Sequence, residues 1–312
     1  MNQLYKKIEA MREMAFQNVD LSAELILEEL SNFIKQNEEL IKECYKIDSE
    51  LHKNRADLAI KRMLDTIDSV RQYKFNDTKI YTLLNERKFI IYKQNKGVLG
   101  VVYDGDIYLT IELIAKAIKT GNALILNIGL NNNIGTNNLI VKAIKDILKI
   151  NNKPDSLIEI IFSENDELAK EDLDTLIIIG NREIQDKYDN YNNEVIKSGY
   201  GYCEIYIDDL SNEEFIKEII RKSEYQLKIY INSKLLTDIQ GYRVEDCEDA
   251  ITKINKQGSN FTSVIFSENT NCQRIFLKRC KARHVFVNAD PNIAEDSNIQ
   301  IEDLYYEKIG MV

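Results

Sequence analysis

The stretch that decides the fold class is residues 96–129, KGVLGVVYDGDIYLTIELIAKAIKTGNALILNIG. Its first part, residues 97–103, is a short apolar run rich in β-branched side chains, which predicts a strand covered on both faces. Thr110 stands where the N-cap of a helix belongs, apolar residues follow at helical spacing, and Gly121-Asn122 marks the helix end. The run ALIL then predicts a second buried strand. This βαβ pattern predicts an open α/β sheet, in which ligands bind at the loops that follow the strands.

The composition limits the classes of partner. The chain has 312 residues, of which 44% are hydrophobic and 29% charged, and its net charge is −10. These proportions are ordinary for a globular protein, and the length favours two domains. Nucleic acids and anionic membrane surfaces both require clustered cations, so the acidic balance predicts neither as a partner.

The apolar runs and the cysteine and histidine content bear on targeting and on metal binding. No run approaches the ~20 apolar residues that cross a bilayer, and the chain opens directly on a charged amphipathic pattern, so we expect no signal peptide and a cytoplasmic location. The five cysteines lack CxxC spacing, which argues against a disulfide framework and a zinc site. With only His52 and His284 present, we expect no metal site.

The hydrophobic patterns predict helices in the N-terminal part and alternating strands and helices after it. Residues 1–75 are predicted to be helical, and residues 88–93 to form a strand of a β-ribbon. We assign three domains: N-terminal helices with a Rossmann-like cofactor-type domain at 1–210, a reduced catalytic-type domain at 211–290, and a C-terminal tail at 291–312. Further predicted strands are 157–162, 176–179, 201–208, 229–231, 263–266 and 284–288, and further predicted helices are 139–150, 213–221 and 246–257, the last ending at Gly258.

The sequence contains five distinctive blocks, in order along the chain: GVLGVVY at 97–103, KTGNALIL at 119–126, GYCEIYID at 201–208, AITKIN at 250–255 with Gly258-Ser259, and VFVNA at 285–289. Together these blocks resemble gamma-glutamyl phosphate reductase, a member of the aldehyde dehydrogenase superfamily. The resemblance implies an α/β, aldehyde-dehydrogenase-like architecture, with a Rossmann-like cofactor domain and a smaller α/β catalytic domain. It also implies NADP or NAD as cofactor, reduction of glutamyl 5-phosphate in proline biosynthesis, and homo-oligomers joined through a β-ribbon.

Two loops depart from the family pattern. Where the family has an arginine in its substrate loop, this chain has Asp106, near a second acid, Asp104, and an acidic side chain repels an anionic substrate. On the cofactor side, an arginine is replaced by Asn127 and a glycine by Ile128, which hinders close approach of backbone to a phosphate. A retained nucleotide site would use the side chains or amides of Asn127, Gly129 and Asn131, because asparagine can hydrogen-bond a ribose or a phosphate.

The catalytic cysteine is the most important departure. The chemistry of the superfamily needs a thiolate that attacks the acyl or aldehyde carbon. Matching Gln226 and Asn232 to the family run that contains this cysteine places Ile231 at the nucleophile position. The same resemblance implies that Asn232 lies beside the substrate, together with Asp104 and Asp106 of the substrate loop. No cysteine lies between Cys203 and Cys247, and Cys203 on a predicted strand is the candidate substitute.

Three functional hypotheses remain open. The first is a reductase relative that keeps the fold but is catalytically impaired, and that binds a nucleotide or pairs with a full-length paralogue. The second is an active NADP-dependent reductase of glutamyl 5-phosphate or another acyl or aldehyde substrate. The third is a non-catalytic assembly or regulatory partner that uses the ribbon and the N-terminal helices as an interface. The absent nucleophile and the acid at position 106 favour the first.

Overall fold

The computed structural model describes residues 3–17, 22–48, 56–74, 79–82, 88–103, 107–129, 133–163, 167–188, 194–223, 225–293 and 299–311. These residues form an α/β protein with parallel sheets, which confirms the predicted fold class. The chain divides into two compact units. Unit 1 comprises Met1–Ile177, Tyr191–Ile196 and Gln300–Val312, and unit 2 comprises Ile178–Asn190 and Lys197–Ile299.

The N-terminal segment is helical, as the spacing of its apolar residues predicts. The helices are α1 (Gln3–Gln17), α2 (Ala23–Gln36), α3 (Glu38–Asp48) and α4 (Ala56–Gln72). Each buries one apolar face, and full burial of such a side chain contributes about 1.5–3 kcal/mol. α2 packs against α4, and α3 packs against the later helix that spans residues 134–150. The buried apolar residues of α2 are Ile26, Leu27, Leu30 and Ile34.

A three-stranded antiparallel ribbon belongs to the same unit. It contains β1 (Lys79–Thr82), β2 (Lys88–Asn95) and the C-terminal strand Tyr305–Met311, which is β13 in chain order. β2 lies in the middle, and β13 pairs with it along the whole run from Tyr305 opposite Asn95 to Met311 opposite Phe89. The segment predicted as a C-terminal tail, 291–312, therefore supplies a strand of the ribbon.

The predicted βαβ unit is present. It comprises β3 (Val98–Tyr103), α5 (Ile107–Thr120) and β4 (Ala123–Ile128), and the two strands pair in parallel. Gly121 ends the helix as predicted, because its φ of +73° lies in the left-handed region that glycine enters without a Cβ clash.

The predicted N-cap of this helix is wrong. Thr110 lies inside α5, three residues after its first residue, Ile107. Its hydroxyl donates to Asn137 Oδ1 at 2.6 Å and also hydrogen-bonds the hydroxyl of Tyr103. The threonine therefore satisfies a buried polar contact between helix and sheet, and apolar residues of the first turn are buried with it.

Three more strands extend the sheet of β3 and β4 on both sides. The elements that follow β4 are α6 (Ile134–Ile150), β5 (Ile158–Phe162), α7 (Glu167–Lys170), β6 (Thr175–Ile179), α8 (Arg182–Lys187) and β7 (Val195–Ser198). The strand order is β5-β4-β3-β6-β7, and the division between the units passes through β6 and β7. α6 begins five residues before its predicted start at Leu139.

Unit 2 contains a second parallel sheet, in the order β10-β9-β8-β11-β12. β8 is its central strand, so the unit boundary falls earlier than the predicted boundary at residue 210. Its apolar core includes Tyr206, Tyr230 and Phe276. The elements are β8 (Tyr202–Ile207), α9 (Glu213–Lys222), β9 (Gln226–Asn232), β10 (Tyr242–Val244), α10 (Cys247–Gln257), β11 (Thr262–Phe266), α11 (Thr270–Arg279) and β12 (His284–Val287).

Every helix in the described ranges is too short or too polar to cross a bilayer.

Candidate functional site

Ile231, predicted to stand at the nucleophile position, is a core residue of β9. Its side chain is fully buried, and it pairs in register with Ile207 of β8 and with Arg243 of β10. Only residues 223–225 lie between α9 and β9. At this position isoleucine contributes packing energy and offers no nucleophile.

Asn232, predicted to lie beside a substrate, is the last residue of β9. Its side-chain amide donates to Asp208 Oδ1 at 3.2 Å. The same carboxylate accepts hydrogen bonds of 2.7 Å from the hydroxyls of Tyr206 and Ser267. Asn232 is thus part of a hydrogen-bonded network at the carboxyl edge of the unit 2 sheet. The two acids predicted to share a substrate loop with it, Asp104 and Asp106, lie outside the described residues.

Cys203, the candidate substitute nucleophile, is fully buried in β8. Burial raises the pKa of its thiol well above the usual value, with the nearby Glu204 and Asp290 carboxylates adding to the effect. A thiol in this state is protonated at neutral pH and unreactive. Because side chains alternate along a strand, Cys203 also faces away from the side of the sheet that carries Tyr202 and Glu204.

The predicted cofactor residues lie at and after the end of β4. Asn127 is buried and pairs in register with Val102 of β3 and Ile161 of β5. Gly129 directly follows the strand and is half-buried. Asn131 lies outside the described residues, so the predicted grouping of these three residues stays a prediction.

The first turn of α6, which follows that loop, is already bound to a carboxylate of the same chain. Asp48, the last residue of α3, accepts from the amide of Gly135 at 3.0 Å and from the amide and hydroxyl of Thr136 at 2.7 and 2.6 Å. Dinucleotide-binding folds use free helix amides of this kind for the pyrophosphate. The residues present at this position therefore do not fit a phosphate group.

A cavity of about 580 Å³ opens at the amino edge of the unit 2 sheet. It lies within unit 2, between the first residues of β8 and β9, the start of α8 and the end of α10. Its volume falls in the range of small-molecule sites. Among the described residues, those that line it include no cysteine; they are Asn181, Arg182, Glu183, Asp186, Tyr202, Glu204, Gln226, Leu227, Lys228, Lys256, Gln257 and Ser259.

Two glycines allow the backbone to come together around this cavity. A Cβ on Gly199, just before β8, would lie 2.3 Å from the carbonyl oxygen of Ser259. A Cβ on Gly258, the C-cap of α10, would lie 2.9 Å from Glu204 Cδ. The lack of a side chain thus lets Ser259 pack close to Gly199, and it lets Glu204 pack close to Gly258.

Glu204 is the buried acid of the cavity, and only 3% of its surface is exposed. Its Oε1 accepts from the amide of Ser259 at 2.7 Å, and its Oε2 lies 3.4 and 3.3 Å from the hydroxyls of Ser259 and Ser263. Burial raises the pKa of the Glu204 carboxyl, while the hydrogen bonds from the two serines act to lower it. None of the described lysines or arginines forms an ion pair with it.

The cations around the cavity have other partners or lie at its exposed rim. Arg182 pairs with Asp186 at 2.9 Å, one turn along α8. Lys228 donates to Gln257 Oε1 at 3.3 Å. Lys256 is exposed. The acids and cations of the lining balance in number. Glu204 is nevertheless the deeply buried one among them, so the buried end of the cavity, its floor, carries an acid.

Sequence reasoning missed Glu204 as a functional candidate, although a signal was present. It is a charged residue in the middle of the buried strand YCEIYI, and such residues are almost never fully buried without partners. The serines that bind it lie more than fifty residues later in the chain, so no local pattern could identify the group.

Comparisons with known proteins find sequence similarity to gamma-glutamyl phosphate reductases. No protein-family model matches the chain. It is 26% identical to the gamma-glutamyl phosphate reductase of Clostridium beijerinckii over 261 residues, which cover 64% of this chain and 63% of that protein. The corresponding enzyme of Clostridium perfringens is 27% identical in an alignment 352 positions long, which covers 86% of this chain and 84% of the enzyme. That alignment is longer than the 312 residues of the whole chain, so the relative carries segments that this chain lacks.

Solved structures match over almost the whole chain. The gamma-glutamyl phosphate reductase of Thermotoga maritima has a TM-score of 0.68 at 18% identity, covering 100% of this chain and 98% of that one. The chain has an aldehyde-dehydrogenase-like fold. The same fold is found in the glyceraldehyde-3-phosphate dehydrogenase of Methanocaldococcus jannaschii, solved with NADP, at a TM-score of 0.74, 12% identity and coverage of 98% and 93%. The predicted resemblance to gamma-glutamyl phosphate reductase is thereby confirmed.

Proposed function

We propose that this chain is a gamma-glutamyl-phosphate-reductase-like protein that has lost the covalent reductase step and binds a ligand without turnover. The observation that carries the proposal is the state of the thiols. Cys203 is buried with a raised pKa, and its side chain faces away from the cavity. The position expected to hold the nucleophile is the buried Ile231. Without a thiolate at the cavity, an acyl-enzyme intermediate has no attachment point.

The cofactor side supports the same proposal. The relatives with this fold include an NADP complex, so a nicotinamide nucleotide is the cofactor to test first. Bound, such a nucleotide would supply hydride transfer. In this chain Asp48 occupies the first amides of α6 and adds a negative charge beside them. We therefore expect NADPH and NADH to bind weakly at this helix.

Calorimetry and a turnover assay test the proposal. The purified chain is titrated with NADPH and with NADH. Separately, oxidation of glutamate 5-semialdehyde by NADP+ or NAD+ in the presence of inorganic phosphate is followed by the absorbance of the reduced nucleotide. We expect no turnover above the rate without protein. Cys203→Ala and Cys247→Ala are measured in parallel with the control Cys44→Ala, whose thiol lies on α3 of unit 1, and all three are expected to behave like the unmodified chain.

Two results would count against the proposal. Turnover that disappears in Cys203→Ala or in Cys247→Ala but persists in Cys44→Ala would show that the substituted thiol acts as a nucleophile. Turnover that persists in all three variants would point to another catalytic group. In either case the second hypothesis, an active NADP-dependent reductase, would replace this one.

An assembly role is the second candidate, and the ribbon favours it. The outer strands β1 and β13 each present large apolar side chains to solvent, with Ile80 61% and Ile309 67% exposed. An open strand edge with apolar side chains is suited to pairing with another chain. We propose a second copy of this chain, or a full-length paralogue, as the partner. Native mass spectrometry tests this, and a strictly monomeric mass at micromolar concentration, with no mixed species when a full-length reductase is added, would refute it.

A further inference from the structure

We propose that the unit 2 cavity binds a small organic cation, a primary ammonium or guanidinium compound, whose nitrogen pairs with the carboxylate of Glu204. This rests on the proposed function, because it names the ligand of a cavity that lacks a nucleophile. The relevant features are the burial of Glu204, its hydrogen bonds and the placement of the surrounding charges.

The hydrogen bonding of Glu204 leaves one oxygen with spare capacity. Oε1 has a good donor in the Ser259 amide at 2.7 Å. From the part of the chain that the structure describes, Oε2 receives only two serine hydroxyls, at 3.3 and 3.4 Å, beyond the 2.5–3.0 Å typical of O–H···O bonds. A carboxylate can accept about four hydrogen bonds, so Oε2 can take a further donor from a ligand.

Charge favours a cationic donor over a neutral one. A buried carboxylate is costly unless it is paired, and Glu204 receives only neutral donors from the described residues. Electrostatic interactions are stronger at a buried floor than at an exposed rim, where water and salt screen them. Arg182 is paired with Asp186, and Lys256 is exposed. Lys228 pairs in register with Glu204 from β9, but its ammonium group donates to Gln257 and lies over the rings of Tyr230 and Tyr242. Glu204 is therefore the charged group of the lining that is left for a ligand nitrogen at the buried end of the cavity.

The rest of the lining suits a small polar molecule. Tyr202 and Gln226 stand at the starts of β8 and β9, on the same side of the sheet as Glu204, and carry hydroxyl and amide groups. Glu183, exposed on α8, adds a second acid at the opening. A ligand with one nitrogen at the floor and a second near Glu183 would use both acids, which favours compounds with two cationic groups.

The test is calorimetric titration of the whole chain with 1,4-diaminobutane and with agmatine, and with succinate as the dianion of similar length. We expect both cations to bind and succinate to give no heat. Glu204→Gln keeps the shape of the side chain and removes its charge, and it should weaken binding at least about tenfold, as expected for one lost charge-assisted hydrogen bond. Glu183→Gln, the matched control at the rim, should weaken it less.

A second variant tests the same proposal in case Glu204→Gln, a substitution at a buried position, does not fold. Gln226 is exposed at the start of β9, so Gln226→Arg should fold normally while placing a guanidinium in the cavity. It should weaken binding of both cations by a similar factor, and circular dichroism confirms the fold of each variant. The inference is overturned if neither cation binds, if succinate binds better, or if Glu204→Gln binds as tightly as the unmodified chain.

These outcomes are independent of the reductase test. Cations that fail to bind to a chain without turnover would overturn the ligand assignment and leave the proposed function standing. Reductase turnover would overturn the proposed function, and the cation titrations on the same preparation would still decide the ligand.

Discussion

Gly258→Ala should destabilise the chain through a contact with Glu204. The added Cβ would lie 2.9 Å from Glu204 Cδ and 2.6 Å from the carbonyl oxygen of Ile254, closer than real Cβ atoms come to such neighbours. Overpacking of this kind costs about 1–3 kcal/mol. The backbone of Gly258, at φ −79° and ψ 167°, is open to alanine, so about 0.4–1 kcal/mol is recovered from the less flexible unfolded chain. The expected net loss is about 1–2 kcal/mol.

The assay is urea denaturation monitored by circular dichroism, together with hydrogen exchange of single amides. The midpoint should fall in Gly258→Ala. The amide of Ser259 should also exchange faster, because its acceptor is the Glu204 carboxylate that the new methyl group displaces. The exchange measurement ties the loss of stability to this contact.

The matched control is Gly310→Ala in β13. A Cβ there would meet its nearest neighbours, an atom of Tyr92 and the carbonyl oxygen of Ile90, at 3.8 and 4.0 Å, which is ordinary van der Waals contact. This variant should be neutral or slightly more stable. If Gly258→Ala were as stable as this control and kept the protection of the Ser259 amide, the packing assigned to Glu204 would be wrong.

Three further predictions concern the acids and thiols. Asp48→Ala should lower the free energy of unfolding by about 1–2 kcal/mol, because it removes the cap of α6, and Asp48→Asn should lower it less; urea denaturation measures both. The raised pKa of Glu204 means that the folded chain holds this proton more tightly than the unfolded chain, so its contribution to stability is present below the usual value of 4.5 and is lost as the pH rises through the raised pKa. Glu204→Gln should therefore show a smaller fall of the urea midpoint above pH 4.5 than the unmodified chain. Finally, iodoacetamide should label Cys247 before Cys203, because a hydrogen bond with Cys272 lowers the pKa of the first thiol and burial raises that of the second; equal labelling under native conditions, read by mass spectrometry, would contradict this.

The core elements of this fold could be predicted from the sequence because each has a local cause. Residues 97–103 and 123–126 are apolar and β-branched, and they form the adjacent parallel strands β3 and β4. Gly121 was identifiable as a helix end because only glycine adopts its left-handed backbone freely. The same local reasoning failed at Thr110, whose hydroxyl is satisfied by Asn137 of another helix. A capping preference is weak beside a buried tertiary hydrogen bond.

The candidate site was harder to predict because its contacts are distant in sequence. Asp48 binds amides at Gly135 and Thr136, and Glu204 binds Ser259 and Ser263. Neither pair is linked by periodicity or by a motif. The sequence did show that no cysteine lies between Cys203 and Cys247, since the absence of a residue type can be read without tertiary information.

The proposed lack of a reactive thiol is compatible with the presence of the cavity, because the two depend on different parts of the chain. Tyr202, Glu204 and Gln226 lie on strands whose pairing and burial are required for folding. The link between α9 and β9 consists of residues 223–225, and closing a shorter link costs less conformational entropy. A chain of this fold can therefore lose residues between its elements without losing the strands that line the cavity. For this reason we expect this protein to bind a ligand in the cavity without catalysing a reaction. Substitution of Glu204 is then the change that should weaken this binding most.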